Sequence, residues 1–242
     1  MNSGKLVLIN VFSYSCMNCL RSLILIKKIN KKYKKYELET LLVHSPEWKF
    51  EKNSNNIITA LKKYKTKIPL IIDKKKKIIK SLKIDFWPAQ IVVKSGKIIY
   101  KHIGEGNYKK LENVIVKNLK IKANHLFQKE PKYSKFPTIY CGKRKGKPVK
   151  LDGWIQESEC LKSAINDAKI TIKTKGKITN FVAESLNKKT IEINIKLNLK
   201  SYKKIEINKP SLYTLIKTKH SKQQGLIIIA PKNLAIYSFS FQ

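Results

Sequence analysis

The sequence predicts two folds in series, an α/β layered unit followed by an all-β sandwich. Three observations predict this. Apolar runs alternate with amphipathic helical stretches from residue 6 to about residue 120, and the first run leads straight into Cys16-Met17-Asn18-Cys19. Beyond about residue 138, short alternating segments take over. With 242 residues, 42% of them hydrophobic, the chain can bury two modest cores.

Leu6–Phe12 is an apolar run interrupted only by Asn10, as suits a strand covered on both faces. The next stretch puts Leu20, Leu23, Ile26, Ile29 and Tyr33 on one helical stripe with lysines opposite. Residues 38–44 read as a second strand, 57–64 as a short helix, 69–73 as a short strand and 78–82 as another helix. Residues 89–94 form a strand, and Ser95-Gly96 turns it tightly into a returning strand at 97–103. Asn107 or Tyr108 opens a closing helix that runs to about residue 119. Parallel strand–helix–strand units finished by a hairpin and a helix imply α/β layers.

The mixed polar stretch 123–137, with Pro131 and Pro137, reads as a linker between domains at 1–122 and 138–242. In the second domain, residues 169–174, 178–184, 190–199, 203–207, 212–217, 225–229 and 235–241 are strand-like. Ile191-Glu192-Ile193-Asn194-Ile195-Lys196-Leu197 alternates strictly, with one face dry and one wet. About seven such strands suggest a β-sandwich. No internal repeat relates the halves.

The formal net charge of +36 invites a nucleic-acid reading. Of the 52 basic residues, however, only Arg21 and Arg144 are arginines. Bidentate base contacts and stacking rely on arginine, which lysine does not reproduce. The lysines are spread along the chain among abundant Ile and Asn, a bias that A/T-rich codons explain. Weak, salt-sensitive attraction to polyanions is expected and a dedicated nucleic-acid site is not. No run of eighteen apolar residues offers a spanning helix. Met1–Lys5 leads directly into a strand with no room for a signal peptide, so the chain as it stands reads as cytoplasmic, or else it lacks an export segment that related proteins carry.

Chemistry points to Cys16 and Cys19. Two residues three apart on a helix share a face, at a Cα separation a disulfide can bridge. The first also sits where unpaired backbone N–H groups and the helix dipole favour a thiolate. Cys16 is then the exposed nucleophile and Cys19, one turn deeper, the resolving thiol. The alternative is half of a zinc site, which needs four ligands. No second Cys-x-x-Cys exists, and His44, Cys141 and Cys160 lack a matching spacing. Neither a metal nor an organic cofactor is required, since the dithiol itself carries the electrons. Cys141 and Cys160 could pair in an oxidising compartment or remain two separate buried thiols.

The run Phe12-Ser13-Tyr14-Ser15-Cys16-Met17-Asn18-Cys19-Leu20-Arg21-Ser22-Leu23 resembles the thioredoxin-like proteins of the TlpA and DipZ group. Val43-His44-Ser45-Pro46-Glu47, Phe86-Trp87-Pro88-Ala89 and His102-Ile103-Gly104-Glu105-Gly106 follow in the expected order. Tyr140-Cys141-Gly142, Leu151-Asp152-Gly153-Trp154, 211–215 and 235–241 are similar to the C-terminal sandwich of DipZ-type proteins. The resemblance implies a thioredoxin fold followed by a jelly-roll, carbohydrate-binding-module-like domain. It further implies a thiol–disulfide oxidoreductase working as a reductase on protein disulfides. An exported family of this kind is fed by a dithiol electron donor, such as a CcdA-type membrane protein.

By the same resemblance Pro88 is the cis-proline facing the dithiol, and the Trp87 backbone pairs with an incoming substrate strand. Read alone, Pro88 is an ordinary trans proline at a strand edge. Thioredoxins carry a buried Asp six residues before the first cysteine, and here that position is Asn10, an amide that accepts no proton. Glu47 or His44 could relay the proton through water instead. The bland readings are an exposed loop carboxylate and a hydrogen-bonded strand-end histidine. Ile24 stands where relatives have a helix-kinking proline, which predicts a straighter helix. Arg21 either holds a carboxylate near the site or is a solvated helix-face residue. Trp154, Tyr140, Tyr213 and Tyr237 are either core residues or a sugar-stacking platform. The competing class is an interaction protein, with the thioredoxin fold as scaffold and the sandwich binding a glycan or other ligand.

Overall fold

The computed structural model describes residues 5–122, 124–133, 136–144 and 150–242. The chain divides into two compact units, residues 1–133 and 134–242.

The first unit is built on a five-stranded sheet ordered β3-β2-β1-β4-β5. Its strands are β1 (Leu6–Phe12), β2 (Leu38–His44), β3 (Leu70–Ile72), β4 (Ala89–Lys94) and β5 (Lys97–Ile103). β1, β2 and β3 run parallel, while β4 and β5 are antiparallel, so this is a thioredoxin-like fold. The helices are α1 (Met17–Tyr33), α2 (Ser54–Lys62), α3 (Lys77–Ser81) and α4 (Tyr108–Leu119). α2 begins before the first apolar residue of its stripe because the Asn53 side chain caps it, accepting from Asn55 N–H.

α1 is unbroken through Ile24, whose side chain points to solvent. Its buried stripe of Leu20, Leu23, Ile26, Ile29 and Tyr33 contributes about 1.5–3 kcal/mol per fully buried aliphatic side chain. Register then fixes the site. Val11 lies opposite Ala89 and Phe12 opposite His44. The turn after β1, the residues before β4 and the end of β2 therefore meet at one edge of the sheet.

The chain continues to pack after α4. The buried carboxylate of Glu112 accepts the backbone N–H groups of Leu126 (2.6 Å) and Phe127 (2.9 Å) and the Tyr33 hydroxyl. Glu130 accepts Tyr108 and Lys109 N–H at the start of α4, where negative charge meets the helix dipole. Phe127 joins the core around Tyr108 and Leu111.

The second unit is a β-sandwich. One sheet is ordered β13-β12-β15-β10-β7, from Lys200–Ile207, Ile191–Leu197, Gln224–Ala230, Ala168–Thr174 and Lys150–Asp152. The other is ordered β14-β11-β16-β9-β8, from Ser211–Lys217, Ile178–Ser185, Leu234–Phe241, Leu161–Ser163 and Trp154–Gln156, with β6 (Ile139–Tyr140) pairing β16. Inward residues of both sheets share one core, which contains Ile170, Ile193 and Ile228 from the first and Phe181, Leu215 and Phe239 from the second.

Three of the four rings read as core residues or a sugar platform have contacts within the sandwich. Trp154 and Tyr213 pack against the core, Tyr237 is buried with its hydroxyl on Glu184, and the Tyr213 hydroxyl donates to Lys209 C=O at 2.6 Å. Cys141 and Cys160 are free, buried thiols. Burial pushes both up, Cys160 to about 12.

Candidate active site

The turn Ser13–Ser15 carries the chain from β1 into α1, and Cys16 occupies the N-cap of that helix in extended conformation. Its sulfur accepts the Cys19 N–H at 3.3 Å, taking up one of the donors a helix start leaves unpaired. Cys16 is partly exposed, whereas Cys19 is fully buried. Burial, then the hydrogen bond and charge of Cys16, push the Cys19 thiol well up, and the Glu47 carboxylate adds to this. The two sulfurs are thus unlike. One is reachable and supplied with a donor, and the other stays protonated beneath it.

A neutral polar cluster joins α1 to β1 and β4. Gln90 Nε2 donates to Ser22 Oγ (3.0 Å) and Asn10 Oδ1 (3.3 Å), and Ser22 Oγ donates to Asn10 Oδ1 (3.4 Å). All three side chains are buried. The amide at position 10 is therefore a hydrogen-bonded group and not a proton acceptor.

Behind the turn sits a residue that sequence reasoning missed. Glu51 is fully buried on a 3-10 turn, Lys49–Lys52. Its Oε1 accepts Ser13 Oγ (2.7 Å), Ser15 Oγ (2.7 Å) and Ser15 N–H (3.1 Å), and its Oε2 accepts Glu47 N–H (2.5 Å). Burial raises its ionisation above the usual carboxylate range, and the donors pull the other way. The available signal was an acid beside Phe50 in a chain with few acids, matched by Ser13 and Ser15 flanking Tyr14.

His44 is fully buried between two rings, edge-on to Phe12 (5.4 Å) and stacked on Tyr14 (5.6 Å). Neither ring nitrogen has a hydrogen-bond partner among the described residues. Burial lowers it to about 3, so it stays neutral and serves packing. The relay expected of His44 finds no support in these surroundings.

Trp87–Pro88 is a cis peptide bond, and Pro88 is buried where β4 begins. Pro88 C=O accepts Gly104 N–H at 2.7 Å. Lys76 Nζ lies 5.3 Å over the Trp87 ring, and Phe86 is largely exposed beside it. Arg21 is not a solvated helix-face residue, because its guanidinium grips Glu105 and Asn18. No cluster that could hold a metal ion occurs among the described residues.

A thioredoxin-like unit with a Cys-x-x-Cys helix cap, followed by a β-sandwich, defines the class. Residues 1–115 match the family described as Redoxin, and residues 123–241 match the family described as Thioredoxin like C-terminal domain. The chain is similar to thioredoxin-like proteins of the TlpA/DipZ type. It is 33% identical over 113 residues to Protein SUPPRESSOR OF QUENCHING 1, chloroplastic, of Arabidopsis thaliana, covering 46% of this chain and 11% of that protein. It is 29% identical over 113 residues to Protein DipZ of Mycobacterium tuberculosis, covering 46% and 16%. Thiol-disulfide oxidoreductase ResA of Bacillus cereus is 28% identical over 115 residues, covering 47% and 64%. The matches thus span between a tenth and a sixth of the first two relatives.

Proposed function

We propose that the protein is a disulfide reductase acting on protein disulfides through Cys16 and Cys19. One observation carries this reading. Cys16 caps α1 within reach of solvent and accepts the Cys19 N–H, while Cys19 lies buried one turn below.

Cys16 sulfur attacks one sulfur of the substrate disulfide, breaking that bond and releasing a thiolate that takes a proton from water. Cys19 then gives up its proton and displaces the second substrate thiol from Cys16, leaving a Cys16–Cys19 disulfide. Two electrons pass to the substrate, and an external dithiol donor restores the pair. A CcdA-type membrane protein is the donor we assign. For the proton of Cys19 we assign Glu47, whose charge reaches that thiol, in preference to the sealed ring of His44. Trp87 and Pro88 form the ledge on which the substrate strand lies. No metal or organic cofactor enters these steps.

Reduction of insulin disulfides by dithiothreitol tests the reading. Wild type accelerates precipitation and Cys16→Ser does not. Equal inactivity of the two proteins across several disulfide substrates would leave the fold as a scaffold only.

A further inference from the structure

Arg21 Nε donates to Glu105 Oε1 at 2.7 Å and Arg21 Nη2 to Glu105 Oε2 at 2.6 Å. The same Nη2 donates to Asn18 Oδ1 at 2.6 Å. The ion pair is largely withdrawn from water, with side-chain exposures of 19% and 4%. This fork-on-fork geometry is one that lysine cannot reproduce. Asn18 lies between the two cysteines, and Glu105 lies between Gly104 and Gly106. Gly104 in turn donates its N–H to the carbonyl of Pro88. One guanidinium therefore joins the inter-cysteine dipeptide to the loop that holds the proline ledge.

We propose that Arg21 is a positioning residue which, through Glu105 and Asn18, stabilises the dithiol form of the Cys16–Cys19 pair. This rests on the exchange reading above. In the disulfide form, a covalent bond already ties residue 16 to residue 19, so the clamp adds little order there. In the dithiol form, the structure described here, the clamp is what keeps Asn18 and the first turn of α1 in place. Removing it disorders the dithiol preferentially and shifts the balance toward the disulfide. Arg21→Lys keeps the charge and loses the fork, so it follows the loss and not the wild type.

The test equilibrates full-length protein with reduced and oxidised glutathione, quenches by alkylation, and reads the Cys16–Cys19 disulfide fraction by peptide mass. Arg21→Met and Arg21→Lys are expected to favour the disulfide at least threefold, about 14 mV at 29.6 mV per tenfold. Asn18→Ala, at a half-exposed position, is expected to shift in the same direction even if an Arg21 variant folds poorly. A lowered melting temperature with an equilibrium within 1.5-fold of wild type in all three variants reduces the clamp to a structural ion pair. Failure of wild type to form the disulfide at any glutathione ratio overturns both this inference and the exchange reading.

Discussion

Glu51 Oε1 accepts the Ser15 hydroxyl at 2.7 Å, so a carboxylate with no solvent exposure holds the residue next to the first cysteine. Glu51→Gln places an amide donor among groups that are already donors. The expected cost is about 3 kcal/mol, with a severalfold loss in exchange rate as the turn loosens. The folded state also holds the Glu51 proton more tightly than the unfolded chain. Wild-type stability should therefore fall as pH rises from the ordinary glutamate value through the raised one, and Glu51→Gln should lack that fall. Urea titrations across this window measure both, and parallel pH profiles would refute the linkage.

His44 carries the opposite sign. Its folded value is depressed from 6.5 to about 3, so the unfolded chain binds the proton first as pH drops. Stability tied to His44 is complete above about 6.5 and is lost progressively toward 3, up to roughly 5 kcal/mol. His44→Phe should keep the aromatic packing on Phe12 and Tyr14, flatten the acid limb, and leave the exchange rate within twofold. A large rate loss in a folded variant would restore His44 to the chemistry.

The four thiols should separate by reactivity. Cys160 is pushed up to about 12 and Cys141 is also raised by burial, so both stay protonated near neutral pH. Iodoacetamide is expected to label Cys16 on the order of a hundredfold faster than either. Comparable rates, read by peptide mass, would contradict the contrast between the two units' thiols.

A chain ended at residue 121 loses Phe127 and both backbone donors to Glu112, whereas one ended at residue 133 keeps them. Burying Phe127 alone is worth about 2 kcal/mol. The shorter chain should melt well below the longer one by circular dichroism. Equal melting temperatures would show that the segment after α4 adds nothing.

The sequence made the backbone of the site legible because its signals are local. Leu6–Phe12, the stripe through Tyr33, and Cys16 at a helix start all show in runs of a few residues. Strands β10 to β16 were visible for the same reason, but β6 to β9 have two or three residues each, too few to display a period. Glu51, Gln90 and Glu105 escaped because their roles depend on partners 36 to 84 positions away. Arg21 illustrates the limit. Its oddity in a lysine-rich chain was plain, yet only tertiary structure supplies the carboxylate it grips.

Asn10, Ser22 and Gln90 form an electrically silent buried cluster between the first helix and the central strands. None of these three side chains gains or loses a proton across the physiological range, so the charge of the cluster does not follow the acidity of the medium. The titratable groups whose charge reaches Cys19 are Cys16, Glu47 and Tyr108. A change of acidity is therefore felt at the buried thiol through those three groups and not through the amide and hydroxyl side chains of the cluster.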